Sequence, residues 1–269
     1  MAATAARYGP DLRPRRDQPS LWDVTATELS RMRRGFIGWF AVLVPVIITV
    51  PLYPMSLASP EGRSGHTWTV FRDVVLEGWG ALIPMTAALL AALSVRADQD
   101  AWRLLFSYAV PRSKYLLGKY LGLAALTAVS TTLLALLLSV GAALSGRFAT
   151  SFATIVAASY LPWLAGLGTA AVALVVSVVW GLGPTIATGV IGMMCGMLIA
   201  DKSWWMAVPF AWPMRVILPL AGIGPNGVPL PADSPVRDHG VILPAIALSI
   251  GLAVLVLALG SLHITRKEI

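Results

Sequence analysis

Cysteine is nearly missing from this chain, and charge is scarce. One residue of 269 is a cysteine, Cys195, which excludes an intramolecular disulfide and leaves no thiol pair for a zinc or redox motif. Charged residues make up 12%, about half the share usual in a soluble domain. A phosphate-binding loop is missing as well. It needs the pattern GxxxxGK[ST], whose backbone N–H groups cradle phosphate, yet the one Gly-Lys pair, Gly118-Lys119, is followed by Tyr120 and has Ser113 where the first glycine belongs. ATP hydrolysis by that route is excluded. There is no HExxH, and His66, His239 and His263 fall outside the interiors of the long apolar runs, so no histidine can meet Ser139 or Ser177 at depth to form a nucleophilic pair. No catalytic residue, metal ligand or cofactor-binding residue is assigned.

What the chain does have is apolar length. Hydrophobic residues reach 57% and the mean hydropathy is +0.75. A hydrocarbon core of roughly 30 Å is crossed by about 20 helical residues, and six runs qualify: Phe36 to Leu57, Val74 to Val95, Tyr120 to Leu144, Phe152 to Trp180, Pro184 to Ala200 and Val241 to Leu262. The fourth is long and holds Pro162 and Trp163, which predicts a tilt, a kink or an interfacial first turn. The first run starts too late and runs too long for a removable signal peptide. The fold class is therefore an all-α membrane protein with six transmembrane helices. The net charge of +7 follows from topology rather than nucleic-acid binding: with both termini cytoplasmic, fourteen of the twenty Lys and Arg lie inside and six outside, as the positive-inside tendency requires.

Along the chain, residues 1 to 19 carry three prolines, four arginines and little apolar surface, the composition of a disordered cytoplasmic tail. From 20 to 35, Leu21, Trp22, Thr25, Leu29 and Met32 recur at three- and four-residue spacing while Asp23, Glu28, Arg31 and Arg33 take other positions. This predicts an amphipathic helix in the inner interface, with Ser20 as N-cap. Between the fifth and sixth runs, WWMAVPFAWPMRVILPLAG is too apolar for a free loop and too rich in proline for a span, and predicts a re-entrant or interfacial helix pair enclosed by protein.

The middles of the six runs hold no Asp, Glu, Lys, Arg or His. A buried ionisable group commonly marks an ion or proton path, so its lack counts against an ion-coupled carrier. Near the outer end of the second run, Glu77 is a candidate outer gate, or else an interfacial carboxylate paired with Arg72. Gly189, Gly192 and Gly196 on the fifth run form a helix-packing face, with Met193, Met194 and Met197 as deformable apolar neighbours. The charged interruption between the second and third runs, DQDAWRLLFSYAVPRSKYLLGKY, predicts a short amphipathic helix. Asp98 and Asp100 suit its N-terminus, Trp102, Leu105, Phe106 and Ala109 make an apolar stripe, and Pro111 ends it, a form suited to docking in a partner's groove.

The order ELSRMRRGFIGWF, then DQDAWRLLFSYAVPRSKYLLGKY, then six spans resembles the permease subunits of type-2 ABC exporters, and among them the bacterial lantibiotic-immunity and bacitracin-type permeases. The resemblance covers the layout of nearly the whole chain after residue 20. It implies a type V ABC exporter-like arrangement: residues 20–35 as an elbow helix, 36–269 as the six-helix transmembrane domain, a cytoplasmic coupling helix between spans two and three, and extracellular half-helices between spans five and six. It implies a homodimer or heterodimer of permeases on two separate ATPase subunits, which carry the Mg-ATP, in a bacterial inner membrane. It assigns coupling to Asp98, Trp102, Arg103, Leu105, Phe106 and Arg112, with Lys114 and Lys119 positioning the return into span three. A hydrophobic or amphiphilic substrate such as a peptide antibiotic follows, and with it a role in antibiotic resistance. An ATP-independent carrier or channel and a membrane anchor or assembly factor stay open as alternatives.

Overall fold

The structure, a computed structural model, describes residues 19–99 and 111–266. The chain enters through a capped helix, α1 (Leu21–Arg34). The Ser20 hydroxyl accepts from the Asp23 N–H at 3.1 Å, and the Asp23 carboxylate accepts from the Ser20 N–H at 3.0 Å, so two N-terminal donors are satisfied reciprocally. Those bonds also hold the Asp23 carboxyl below its ordinary pKa. At the other end Arg31, Arg33 and Arg34 complement the helix dipole. Gly35 then takes an extended conformation and α2 (Phe36–Ala58) begins at once. The bend is tight: a Cβ on Gly38 would stand 2.6 Å from the Arg33 carbonyl oxygen, so only glycine lets α2 turn this close to α1.

Five further long or apolar helices and one short one follow. A turn at Gly62–His66, reversed by Gly65 at φ +91°, leads into α3 (Thr67–Gln99). Next come α4 (Arg112–Leu144) and α5 (Phe148–Trp180), then α6 (Leu182–Ile199) after Gly181 at φ +84°. The short α7 (Trp212–Ala221) precedes α8 (Ile242–Arg266). Six of these helices, α2 to α6 and α8, are long and apolar enough to cross a membrane.

Their burial sorts them into an inner and an outer set. In the most apolar stretch of each helix, 67% of residues are buried in α3 and 61% in α5, against 22% in α6 and 28% in each of α2 and α8. The outer helices expose large apolar side chains such as Trp39, Ile47, Ile191 and Val254. A surface of that kind is tolerated in lipid and would drive association in water. Helix α6 lies along α3, α8 along α5, and α2 against α3 and α4, while α1 packs along α4.

Three helices reach further than the apolar runs predict. α3 begins at Thr67 rather than Val74, α4 at Arg112 rather than Tyr120, and α5 at Phe148 rather than Phe152. At 1.5 Å per residue the 33 residues of each span about 50 Å, more than the hydrocarbon requires. The extra turns are kept by packing, as where Trp68 and Phe71 are buried with Leu138 and Ala142. α5 runs through Pro162 as one helix. The segment before α8 contains a single α-helix, not a pair. Two one-turn 3₁₀ segments, Trp205–Ala207 and Pro209–Ala211, feed α7, and nine of the ten α7 residues are buried, against α3 and α5 among others.

Candidate functional site

The end of the bundle where α1 meets the close of α3 and the start of α4 holds a cluster of charge with almost no access to solvent. Lys119 on α4 and Asp98 on α3 are each 1% exposed and Glu28 on α1 is 5% exposed. The Lys119 ammonium lies 2.8 Å from Glu28 Oε2 and 2.7 Å from Asp98 Oδ2. It also donates to Ser94, at 3.2 Å to the carbonyl and 3.3 Å to the hydroxyl. Tyr115 donates its hydroxyl to Asp98 Oδ2 at 2.8 Å. Half-exposed Arg31 bridges the Asp98 and Glu28 carboxylates from the outside. Burial alone would lower the Arg31 pKa, but the two carboxylates outweigh it and hold the guanidinium above its ordinary value.

Two cations face two carboxylates, so the cluster is neutral as a whole. Removing charges from water costs several kcal/mol per ion and is offset only when geometry is good and the remaining polar atoms are bonded. Both conditions are met here. The cluster therefore fixes the arrangement of three elements, since any relative displacement of α1, α3 or α4 strands a buried charge.

Local sequence explains the assembly. The buried face of α1 is Thr25, Glu28 and Met32, with Leu21 partly covered. That stripe at spacing 4, 3 and 4 differs from the one expected: Trp22 is 75% exposed and Glu28 turns inward. Glycines on α4 make room for it. A Cβ on Gly118 would stand 2.6 Å from Val24 Cγ1, so in the Gly118-Lys119 pair that fails as a phosphate loop the glycine seats α1 and the lysine pairs with its Glu28.

The expected coupling residues divide into two groups. Trp102, Arg103, Leu105 and Phe106 lie outside the described residues. Asp98 is not at a helix N-terminus: α3 continues to Gln99, and Asp98 sits in its last turns, held there by Lys119, Tyr115 and Arg31. Arg112 opens α4 and donates to the Ile264 carbonyl near the end of α8 at 2.9 Å. Lys114 donates to the Pro19 carbonyl at 3.3 Å. The described residues flanking 100–110 are thus tied to α1, to Pro19 just before it, to α8 or to each other.

Glu77 is not paired with Arg72. Arg72 binds Asp73 at 2.7 Å and donates to the Ala221 carbonyl at 3.3 Å. Glu77 instead lies against the turn at Gly227, φ +72°, where a Cβ would stand 2.6 Å from its Oε2. Sequence reasoning placed Glu28 off the apolar stripe of α1 and gave it no role, whereas it is buried.

The three α6 glycines are buried within the chain. A Cβ on Gly192 would meet the Phe210 ring at 2.6 Å, and one on Gly196 the Phe210 carbonyl at 3.1 Å. At Gly189 it would stand 2.6 Å from Ala88 Cβ, an atom with no torsion to move it aside. Gly189→Ala is therefore expected to push α6 off α3 and destabilise the fold by about 1–3 kcal/mol, as overpacking does. Gly183→Ala, with nothing near its added methyl, should leave the thermal midpoint unchanged or higher. Thermal unfolding of the two variants in detergent checks the contrast.

Residues 25–200 match the family described as ABC-2 family transporter protein. The chain belongs to the ABC-2 transporter family. The match runs from α1 to the end of α6 and so contains every member of the charged cluster. No curated protein matches the chain. ABC-2 permeases are components of membrane transport, generally not catalytic themselves, and work with ATPase subunits. This ABC-2 protein is accordingly a multi-pass membrane protein and a transporter permease.

Proposed function

We propose that this permease is the membrane half of an exporter in a bacterial inner membrane, moving a hydrophobic or amphiphilic molecule, such as a peptide antibiotic, outward on the power of two separate ATPase subunits. The observation that carries the reading is the buried Glu28–Lys119–Asp98 cluster. It joins the elbow to both flanks of segment 100–110, and a force applied to that segment by an ATPase would reach α1, α3 and α4 together. A packed contact transmits such a force better than a flexible one. Trp102, Leu105 and Phe106 are the residues proposed to dock the ATPase, together with Arg103 and Arg112. ATP with its magnesium belongs to the partner, and this chain binds no cofactor. Two permeases, identical or related, complete the assembly. Glu77, against the Gly227 turn at the opposite end, is a gate residue on the outer side.

The orientation has the elbow and both termini in the cytoplasm, in line with the excess of Lys and Arg at that end. With Cys195 replaced by Ser, single cysteines at exposed positions 33 and 202 check it. A membrane-impermeant maleimide added to intact cells should label position 202 and leave position 33 unreacted until the cells are opened. Labelling at 33 in intact cells would reverse the orientation. For the function itself, purification in mild detergent should bring down a Walker-motif ATPase in stoichiometric amount, and a permease that purifies alone from its native membrane would contradict the reading.

A further inference from the structure

Where α1 joins α2 beside the last turns of α3, a pocket of about 290 Å³ opens next to the charged cluster. Its lining is of two kinds. Met32, Phe36, Ile37 and Leu93 form an apolar side, and Glu28, Asp98, Lys119 and Arg31 a polar floor. Glu28, Asp98 and Lys119 are buried and paired with one another, so the charged group presented at the mouth is Arg31, whose side chain is 44% exposed. A guanidinium carries five N–H donors. Arg31 gives one from each Nη to the two carboxylates, and its other donors have no partner among the described residues. Arg33 and Arg34, just before Gly35 of the lining, and Arg96, just before Ala97 of the lining, are exposed. Among the described residues none of these three makes an ion pair. Since the cluster itself is neutral, the mouth is left with a net positive charge.

We propose that this pocket binds an anionic glycerophospholipid from the leaflet at the α1 end, its phosphate held by Arg31 with Arg34 and Arg96, and the top of one acyl chain against Met32, Phe36, Ile37 and Leu93. A planar guanidinium gives a phosphate two parallel N–H···O bonds, and basic pockets between membrane helices suit lipid headgroups. A zwitterionic lipid brings a cation of its own, which the surplus arginines repel. The apolar side continues onto the start of α2, where Phe36 and, one turn on, Trp39 are 65% and 67% exposed, as aromatic side chains are at a bilayer interface. That continuity favours lipid over a protein partner. The volume is at the small end for ligand sites, roughly 300–1,000 Å³, so the pocket takes the glycerol end of the lipid and leaves the rest of its chains in the bilayer. The seating of α1 on α3 then depends on the charge of the membrane.

The test is native mass spectrometry of the full chain, stripped of lipid in detergent and titrated with dioleoylphosphatidylglycerol or dioleoylphosphatidylcholine. One phosphatidylglycerol per chain should be retained, about tenfold or more tighter than phosphatidylcholine. Arg34→Gln with Arg96→Gln leaves the buried cluster intact and should weaken that first phosphatidylglycerol about tenfold or more. Ala97→Trp, on the exposed wall of the pocket, should block it. Arg63→Gln with Arg147→Gln, two exposed arginines in the turns at the other end of the bundle, should leave it unchanged. Excess glycerol 3-phosphate should not displace the lipid, because it lacks the chain that the apolar side holds, and displacement would make this a plain phosphate site and overturn the proposal. Equal retention of the two lipids would overturn it too, as would undiminished phosphatidylglycerol binding in either folded pocket variant. If Arg34→Gln with Arg96→Gln released a co-purifying ATPase and left lipid binding unchanged, the face would belong to the ATPase instead.

Discussion

Lys119→Met is expected to destabilise the folded chain by about 3–5 kcal/mol, the usual cost of removing one partner from a buried charge pair, and to lower its thermal midpoint by roughly 10 °C. The substitution keeps the length of the side chain but leaves the carboxylates of Glu28 and Asp98, each with an oxygen within 3 Å of the lost ammonium, facing one another with only Arg31 to compensate. Removing one carboxylate as well should undo part of the damage. In Glu28→Gln with Lys119→Met, the remaining Asp98 still has Arg31 and Tyr115, so the double variant should be more stable than Lys119→Met alone, with a coupling energy of about 1–3 kcal/mol. Lys202→Met is the control. It breaks an exposed pair with Asp201 and should cost no more than about 1 kcal/mol. Thermal unfolding of the purified variants measures all three, and an unmoved midpoint in Lys119→Met would remove the cluster as the clamp on α1.

Trp102→Asp with Phe106→Asp should have the opposite profile: near-normal stability and lost coupling. Buried aromatic anchors at an interface commonly contribute about 2 kcal/mol or more each, so losing both would weaken ATPase docking roughly a thousandfold. The permease should still insert and fold, because the flanks of the segment are held by the Asp98 and Lys119 cluster and by Arg112 on the Ile264 carbonyl. Co-purification of the ATPase and ATP-driven transport should both fall to background. Unchanged transport would move the docking surface elsewhere. The two sets of variants separate what holds the permease together from what drives it.

The contrast between Trp102 and Lys119 also marks what sequence could and could not reveal. The six spans were legible because hydrocarbon imposes a minimum apolar length, and that length is visible residue by residue. Their ends were less so: α4 extends eight residues before Tyr120, through Arg112, Lys114 and Lys119, because partners supplied by the fold satisfy those charges. Glu28 was hidden for the same reason. On a helical pattern it reads as part of a solvated face, and its partner is 91 residues away. A signal did exist in the spacing of Leu21, Thr25, Glu28 and Met32, which is a tighter single stripe than one that includes Trp22. Asp98 was drawn to a helix start by the dipole argument, when a buried lysine on the next helix was the stronger attraction. The α6 glycines were legible as a packing face, whereas Phe210 as their neighbour was not, since no local rule places a loop phenylalanine on a helix.

We propose that this permease has no energy source of its own and borrows its motion from an ATPase. Co-reconstitution into liposomes with the ATPase that purifies with it, using a fluorescently labelled lantibiotic as the probe, separates borrowed motion from an intrinsic source. Vectorial movement of the probe is expected only when ATPase, magnesium and ATP are all present, and none when an ion gradient is imposed on the permease alone. Movement by this polypeptide without nucleotide, driven by that gradient, would contradict it.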